Sequence, residues 1–307
     1  MPRFARYRQA WGAIALVFVL AFVLTLVAMI PVVILAALHG KTDFGQGWLS
    51  AVWYDPIFYY GSTIAQAASF VAASFLIHRR GGHREWAMGV SGGFRGGVAL
   101  LKGSLLGGLL IVAVLLAMSG SGAVTGFHRA EETIAWAPLV GHALLLGLVT
   151  LNEEVFVQGF AQGVLRHRVG LAASILGPAL LFTLLHGLNP GAYDQAGLPL
   201  WNTALFGVLL SLCRARSGSL WMPIGLHGTW YIGLGIVFGY PLSGTPVPSV
   251  WVPEPGASPL LSGGTFGVEG SVLVSALLVL ALLLVGWRWR RSGRLSSRVL
   301  AGSASRF

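Results

Sequence analysis

The chain has 307 residues, of which 55% are hydrophobic and only 10% charged, and its mean hydropathy of +0.75 excludes an ordinary soluble domain. A formal net charge of +10 would point to nucleic acid in a soluble protein. Here the basic residues sit in short clusters between apolar runs, so they read as topology determinants and no nucleic-acid partner is expected. The single cysteine, Cys213, excludes a disulfide framework or a cysteine metal cluster within one chain, and no neighbouring feature would activate it as a nucleophile.

In chain order, Arg3, Arg6 and Arg8 precede an apolar run from Trp11 to Leu38, too long for the core of a signal peptide and read as a retained first span. Further spans are predicted at Ile57 to Ile77, Gly97 to Met118, Pro138 to Leu165, Leu171 to Leu188, Leu200 to Cys213, Leu220 to Phe238 and Ser271 to Trp287. The expected fold is all-α, a polytopic membrane protein with about eight transmembrane helices. Gly239 to Gly270 reads as a Pro/Gly/Ser-rich loop carrying aromatic side chains. No solenoid repeat and no large soluble domain is apparent.

Alternation of charge sets the orientation. Arg3, Arg6, Arg8, Arg79, Arg80, Arg84, Arg95, Arg166, Arg168, Arg214, Arg216, Arg288, Arg290, Arg291, Arg294, Arg298 and Arg306 fall in one set of connections. Only Lys41 and Arg129 fall in the other, which collects Asp43, Asp55, Glu131, Glu132, Asp194, Glu254 and Glu269. The positive-inside rule then places both termini in the cytoplasm of a multi-pass plasma-membrane protein.

The fourth span contains the costliest residues in the chain. Asn152 to Gly159 reads N-E-E-V-F-V-Q-G within an apolar run, and an ionised acid at bilayer depth costs about 2.5 to 3.5 kcal/mol. Glu153 and Glu154 therefore need partners. The turn near Val169 and Gly170 lies about 16 residues after Glu153 and about 17 before His186, so an antiparallel helix pair brings the two to one depth. His227 follows the turn at Ser217 and Gly218 by about ten residues and approaches the same level less closely. His142 shares the Glu153 face but sits about 16 Å away along the helix, and is read as a packed core residue. Glu154 and Gln158 stand at i and i+4 and are expected to pair, leaving Glu153 free about 100° away. By the same spacing Phe182 walls the site beside His186, and Tyr231 places a hydroxyl beside His227. For both aromatics plain core packing is an equal alternative.

These residues carry a resemblance. Glu153-Glu154 with a polar residue at 158 and Gly159, Phe182-x-x-x-His186, and Gly218-Ser219-Leu220-Trp221-x-Pro223-Ile224-Gly225-Leu226-His227 resemble the CPBP family, the intramembrane glutamic endopeptidases related to the CAAX prenyl protease and also called Abi proteins. The similarity covers residues 136–240 as a core of helices four to seven, preceded by three helices in 1–135 and followed in 241–307 by the loop, the last helix and a basic tail; Gly239-Tyr240-Pro241-x-Ser243-Gly244 and Gly263-Gly264-x-Phe266-Gly267-x-Glu269-Gly270 also resemble bacterial members. The resemblance implies that Glu153 is the general base that activates water and Glu154 a second, more structural acid. It further implies that His186 orients the water and that His227 helps hold the oxyanion. The sequence departs from the family twice: Gln158 stands where the family has Arg, and Tyr231 where it has Asn. Tyr231 is then the candidate replacement donor, and Gln158 and Phe182 are supporting residues.

The implied substrate is a membrane protein or lipidated peptide within the bilayer, and no cofactor is implied. A zinc version, with Glu153, His186 and His227 as ligands and water in the fourth position, is a separate possibility. Two other functional classes stay open. One is a non-cleaving membrane scaffold, favoured by Gln158 and Tyr231. The other is a proton-relay transporter, disfavoured by the few polar residues elsewhere in the spans and by the lack of an inverted repeat.

Overall fold

A computed structural model describes residues 3–39, 55–80, 87–90, 92–131, 135–256 and 258–291. Lys41, Asp43, Arg84, Glu132, Arg294, Arg298 and Arg306, used above for orientation, lie outside the described residues. The chain is mostly helical: α1 (Arg3–His39), α2 (Pro56–Arg80), α3 (Gly93–Gly120), α4 (Trp136–Glu154), α5 (Gln162–Arg168), α6 (Ala173–His186), α7 (Asp194–Ser217), α8 (Trp221–Tyr231), a short α9 (Pro259–Ser262) and α10 (Val272–Arg291). π-helical turns continue α4 into α5 over Val155–Ala161 and extend α8 over Ile232–Val237. By length and composition, five helices can cross a membrane: Phe4–His39, Pro56–Arg80, Gly93–Gly120, Trp136–Arg168 and Asp194–Ser217. Outward-facing apolar side chains such as Phe22, Leu26, Leu105, Leu109, Leu144 and Leu283 suit contact with lipid, where a helix keeps its own backbone groups bonded.

The helices share two ends. At one, the Arg168 guanidinium donates to Gln9 Oε1 at 2.8 Å, joining the end of α5 to the start of α1. Arg214, near the end of α7, donates to the Ala87 carbonyl between α2 and α3 at 3.0 Å. At the opposite end, His39 meets Asp55 at 2.8 Å, and Tyr60 of α2 bonds His142 of α4 at 2.6 Å. His142 also lies 3.0 Å from the Pro138 carbonyl, so it is hydrogen-bonded, but it is half-buried rather than in the core.

Two departures from an all-helical reading lie at that second end. Val124–Arg129 (β1) and Trp251–Pro255 (β2) form an antiparallel ribbon in which Arg129 pairs with Trp251 and Phe127 with Pro253. The segment after α8 is not an open loop. Tyr240, Leu242, Phe266 and Val268 are buried, Leu242 and Thr245 bridge, and Gly244 N–H donates to the Phe266 carbonyl at 3.0 Å. Aromatic side chains are the cause: Phe127 stacks edge-on against Phe238 and Tyr240, and burying such rings folds the segment over the helix ends.

Glycines set how closely the histidine-bearing helices approach their neighbours. α8 lies along α3, with Gly103 and Gly107 facing the Met222 and Leu226 carbonyls and Gly225 facing Leu100. A Cβ at Gly225 would collide with the Leu100 carbonyl oxygen. Similarly, a Cβ at Gly207 of α7 would lie 2.9 Å from the Ala179 Cα of α6. Such small-residue seams are the usual means of close helix packing in a membrane. Gly225→Ala is expected to force α3 and α8 apart and cost about 1 to 3 kcal/mol, the range for overpacking. Gly108, whose added Cβ meets nothing within 4 Å, supplies the control: thermal unfolding in detergent should show a clear loss for Gly225→Ala and almost none for Gly108→Ala.

Candidate functional site

The site forms where α4 gives way to its π-helical turn, facing α6, α7 and α8. Glu153 and Glu154 are the last residues of α4, and both reach His227 of α8. Glu154 Oε1 lies 2.9 Å from His227 Nδ1, and Glu153 Oε2 lies 3.7 Å from Nε2. The acids are neighbours in sequence yet face opposite edges of one ring, Glu154 within hydrogen-bond distance and Glu153 beyond it. Their surroundings differ. The Glu154 side chain is 1% exposed, the Glu153 side chain 21% exposed, and the His227 side chain fully buried. A carboxylate only accepts, so His227 Nδ1 donates to Glu154, and in the neutral ring Nε2 carries a lone pair toward Glu153.

His186 ends α6. Its Nδ1 donates to the Phe182 carbonyl at 2.8 Å, which leaves Nε2 as the acceptor of the neutral ring. The Phe182 ring packs against both histidines, with centroids 4.4 Å from His186 and 5.6 Å from His227. Tyr231 stands edge-on to His227 at 4.3 Å. His186, His227, Phe182 and Tyr231 line one narrow cavity of about 20 Å3 with Trp230, Ser243, Glu269, Asn202 and Thr203. That is about the space one water needs. Among the described residues, no group of three His, Cys, Asp or Glu side chains is gathered to hold a metal ion, so the zinc arrangement finds no ready-made ligand set.

The expected pairing of Glu154 with Gln158 does not occur. Gln158 is fully buried and turns to α7, where its Oε1 accepts from Ser211 Oγ at 3.0 Å. Gln162 follows it and donates to the Ser211 carbonyl at 2.8 Å. The cause is the π-helical turn that begins at Val155: its i→i+5 bonds widen the helix, so a residue at i+4 no longer stacks on residue i. Glu154 is left to His227, while Glu153 Oε2 approaches the same ring at 3.7 Å without a hydrogen bond.

Glu269 was read from sequence as an outer-loop acid, and the structure places it in the cavity wall. Its Oε1 accepts from Trp230 Nε1 at 2.9 Å. Its Oε2 accepts from the Ser243 N–H at 2.7 Å and the Ser243 hydroxyl at 2.9 Å. Asn202 holds the same strand of chain by donating to the Glu269 and Ser271 carbonyls at 2.8 Å each, while its Oδ1 accepts from Ser275 at 2.6 Å. One signal for this residue was present in the sequence: glycines at 263, 264, 267 and 270 bracket it, a density suited to chain packed close on other backbone. Ser243, which Glu269 holds, has an unusual φ of +45°, a conformation rarely kept without support from its surroundings.

Residues 135–233 match the family model described as Type II CAAX prenyl endopeptidase Rce1-like. The chain carries a domain of this family. That domain holds both glutamates and both histidines of the site, with Phe182 and Tyr231, whereas Ser243 and Glu269 lie beyond it. No curated protein and no solved structure matches the chain.

Glu269→Ala strands three donors beside the Rce1-like domain. Hydrogen bonds to charged groups contribute about 1.5 to 3 kcal/mol each and are not additive. The variant is therefore expected to lose about 2 kcal/mol or more of stability and to alter the emission of buried Trp230, whereas Glu269→Gln, which keeps an acceptor, should lose less. Unfolding followed by tryptophan fluorescence checks this, and an unchanged transition for Glu269→Ala would contradict it.

Proposed function

We propose that the protein is an intramembrane endopeptidase that hydrolyses a peptide bond of a membrane protein or lipidated peptide by glutamate-activated water. The observation that carries this reading is the pair of carboxylates on the two edges of His227, beside a cavity of one-water size lined by His186. The Rce1-like domain supports it, since that family consists of CAAX prenyl endopeptidases, which are intramembrane proteases. We assign α1, α2, α3, α4 with α5, α6, α7, α8 and α10 to eight spans with both termini in the cytoplasm and the plasma membrane as location. Residues 136–240 are taken as the catalytic core, between the first three helices and a C-terminal unit of cap, last helix and basic tail.

In this mechanism Glu153, the more open of the two acids, takes a proton from the water as its oxygen bonds the scissile carbonyl carbon. The same proton passes to the departing amine as the C–N bond breaks, so the products are a carboxyl terminus and an amino terminus. His186 holds the water through Nε2. His227, when charged, donates through Nε2 to the carbonyl oxygen as negative charge develops there, and Glu154 on Nδ1 fixes the ring's orientation and offsets its charge, the part a carboxylate plays behind a catalytic histidine. Tyr231 supplies the further donor for which the family uses Asn. Gln158 is a structural residue here, spent on Ser211.

A non-cleaving scaffold is the second reading, favoured by Gln158 standing where the family has its cation. Cleavage of a membrane-peptide library by the purified protein separates the two. General acid–base groups contribute about 10²- to 10⁴-fold, so Glu153→Ala and His227→Ala should each lower turnover by at least a hundredfold. Tyr231→Phe should also cost about a hundredfold, through kcat, while Tyr231→Asn is tolerated. Full activity in Glu153→Ala would end the peptidase reading, and unchanged cellular phenotypes in all of these variants would favour the scaffold.

A further inference from the structure

The site has unequal walls. Toward the arginine-bearing ends, the layer beneath the two glutamates is closed by Phe156, Phe160, Leu165, Leu209, Leu210 and Leu220, all at most 2% exposed. The hollow at that face, lined by Phe75, Met88, Gly89 and Gly218, shares no residue with the site cavity. Toward the other ends the barrier is thin. α6 stops at His186 itself, and α7 gains regular helical geometry only after Gln195, Ala196 and Gly197, all at positive φ. The space above is filled by the segment from Gly239 to Ser271, whose Ser243 and Glu269 line the cavity and whose Thr245, Pro246 and Thr265 are exposed.

The same boundary carries exposed Trp136, Tyr193, Trp201 and Trp251, side chains that favour the headgroup level of a membrane. Arg129 is the one Lys or Arg among the described residues of its connections, which hold Asp55, Glu131, Asp194, Glu254 and Glu269. The arginines of α2, α5 and α7 cluster at the far end. By the positive-inside rule the far end is cytoplasmic, and the capped end is therefore extracytoplasmic.

We infer that the site is approached from the extracytoplasmic boundary of the membrane, beneath the folded cap of residues 239–271. This rests on the peptidase reading for its chemistry but not for its placement. The substrate class follows: an exported or membrane-spanning polypeptide with an extended stretch at its extracytoplasmic helix end, rather than a lipidated chain end presented from the cytoplasm. The physical reason is that a helix within lipid keeps its carbonyls bonded, whereas the chain at a helix end offers peptide bonds to a water. His227 is fully buried and lines the same cavity as Ser243 and Glu269 of the cap.

Two measurements test this independently of each other. In full-length protein with Cys213→Ala, single cysteines at Thr245→Cys in the cap and His167→Cys at the arginine end are exposed to a membrane-impermeant maleimide in intact cells. Labelling of Thr245→Cys at least tenfold faster than His167→Cys, with the difference lost on permeabilisation, is expected. The reverse order would overturn the inference. Two single-span reporters then carry the same randomised flank on either the extracytoplasmic or the cytoplasmic side. Glu153-dependent loss of the extracytoplasmic flank is expected, and cleavage confined to the cytoplasmic flank would overturn the inference while leaving the peptidase reading intact. Cleavage of neither, with labelling of Thr245→Cys as expected, would count against the peptidase reading and still support the placement of the site.

Discussion

The structure depends on one imidazole, His227, held between two carboxylates in apolar surroundings. Taking charged groups out of water costs several kcal/mol per ion after relaxation, and only good geometry offsets that cost. The 2.9 Å contact of Glu154 with Nδ1 meets the requirement on one edge. The 3.7 Å approach of Glu153 to Nε2 is longer than a hydrogen bond, which leaves that edge open to a reacting group. Everything that fixes the position of α8 relative to α4 therefore acts on the site. The seam of Gly103, Gly107 and Gly225 holds α8 against α3, and the approach of Gly207 to Ala179 sets α6, with its His186, against α7.

The π-helical turn from Val155 to Ala161 decides where residue 158 points. Residue 158 faces Ser211, and the partner of Glu154 is His227. π-helical turns occur often at functional sites, and the one here bends the side chains of 158 and 162 toward α7 while the carboxylates remain on α8. The buried amide of Gln158 thus ties α4 to α7 without adding charge to the cavity.

How much of this the sequence disclosed follows from which features have a period. The i, i+4 relation of Phe182 and His186 and of His227 and Tyr231 holds because α6 and the first part of α8 are regular α-helix. The Glu154 to Gln158 pairing failed for the same reason in reverse, since the inference assumes an unbroken α-helical register across Val155. The ribbon of β1 with β2 and the cavity role of Glu269 had no period to announce them. They depend on contacts between residues far apart in the chain, Phe127 with Tyr240 and Trp230 with Glu269, in stretches whose glycines and prolines signal turns but not what the turns pack against.

The central claim is that this site adds water across a peptide bond. Its most direct measurement is mass spectrometry of the products formed when the purified protein, in proteoliposomes prepared in 18O-labelled water, acts on a transmembrane-peptide library. The account predicts fragment pairs joined at one former peptide bond, with a single 18O from each turnover in the new carboxyl terminus and none in the new amino terminus. Peptides recovered whole, or cut without incorporation of the label, would contradict it.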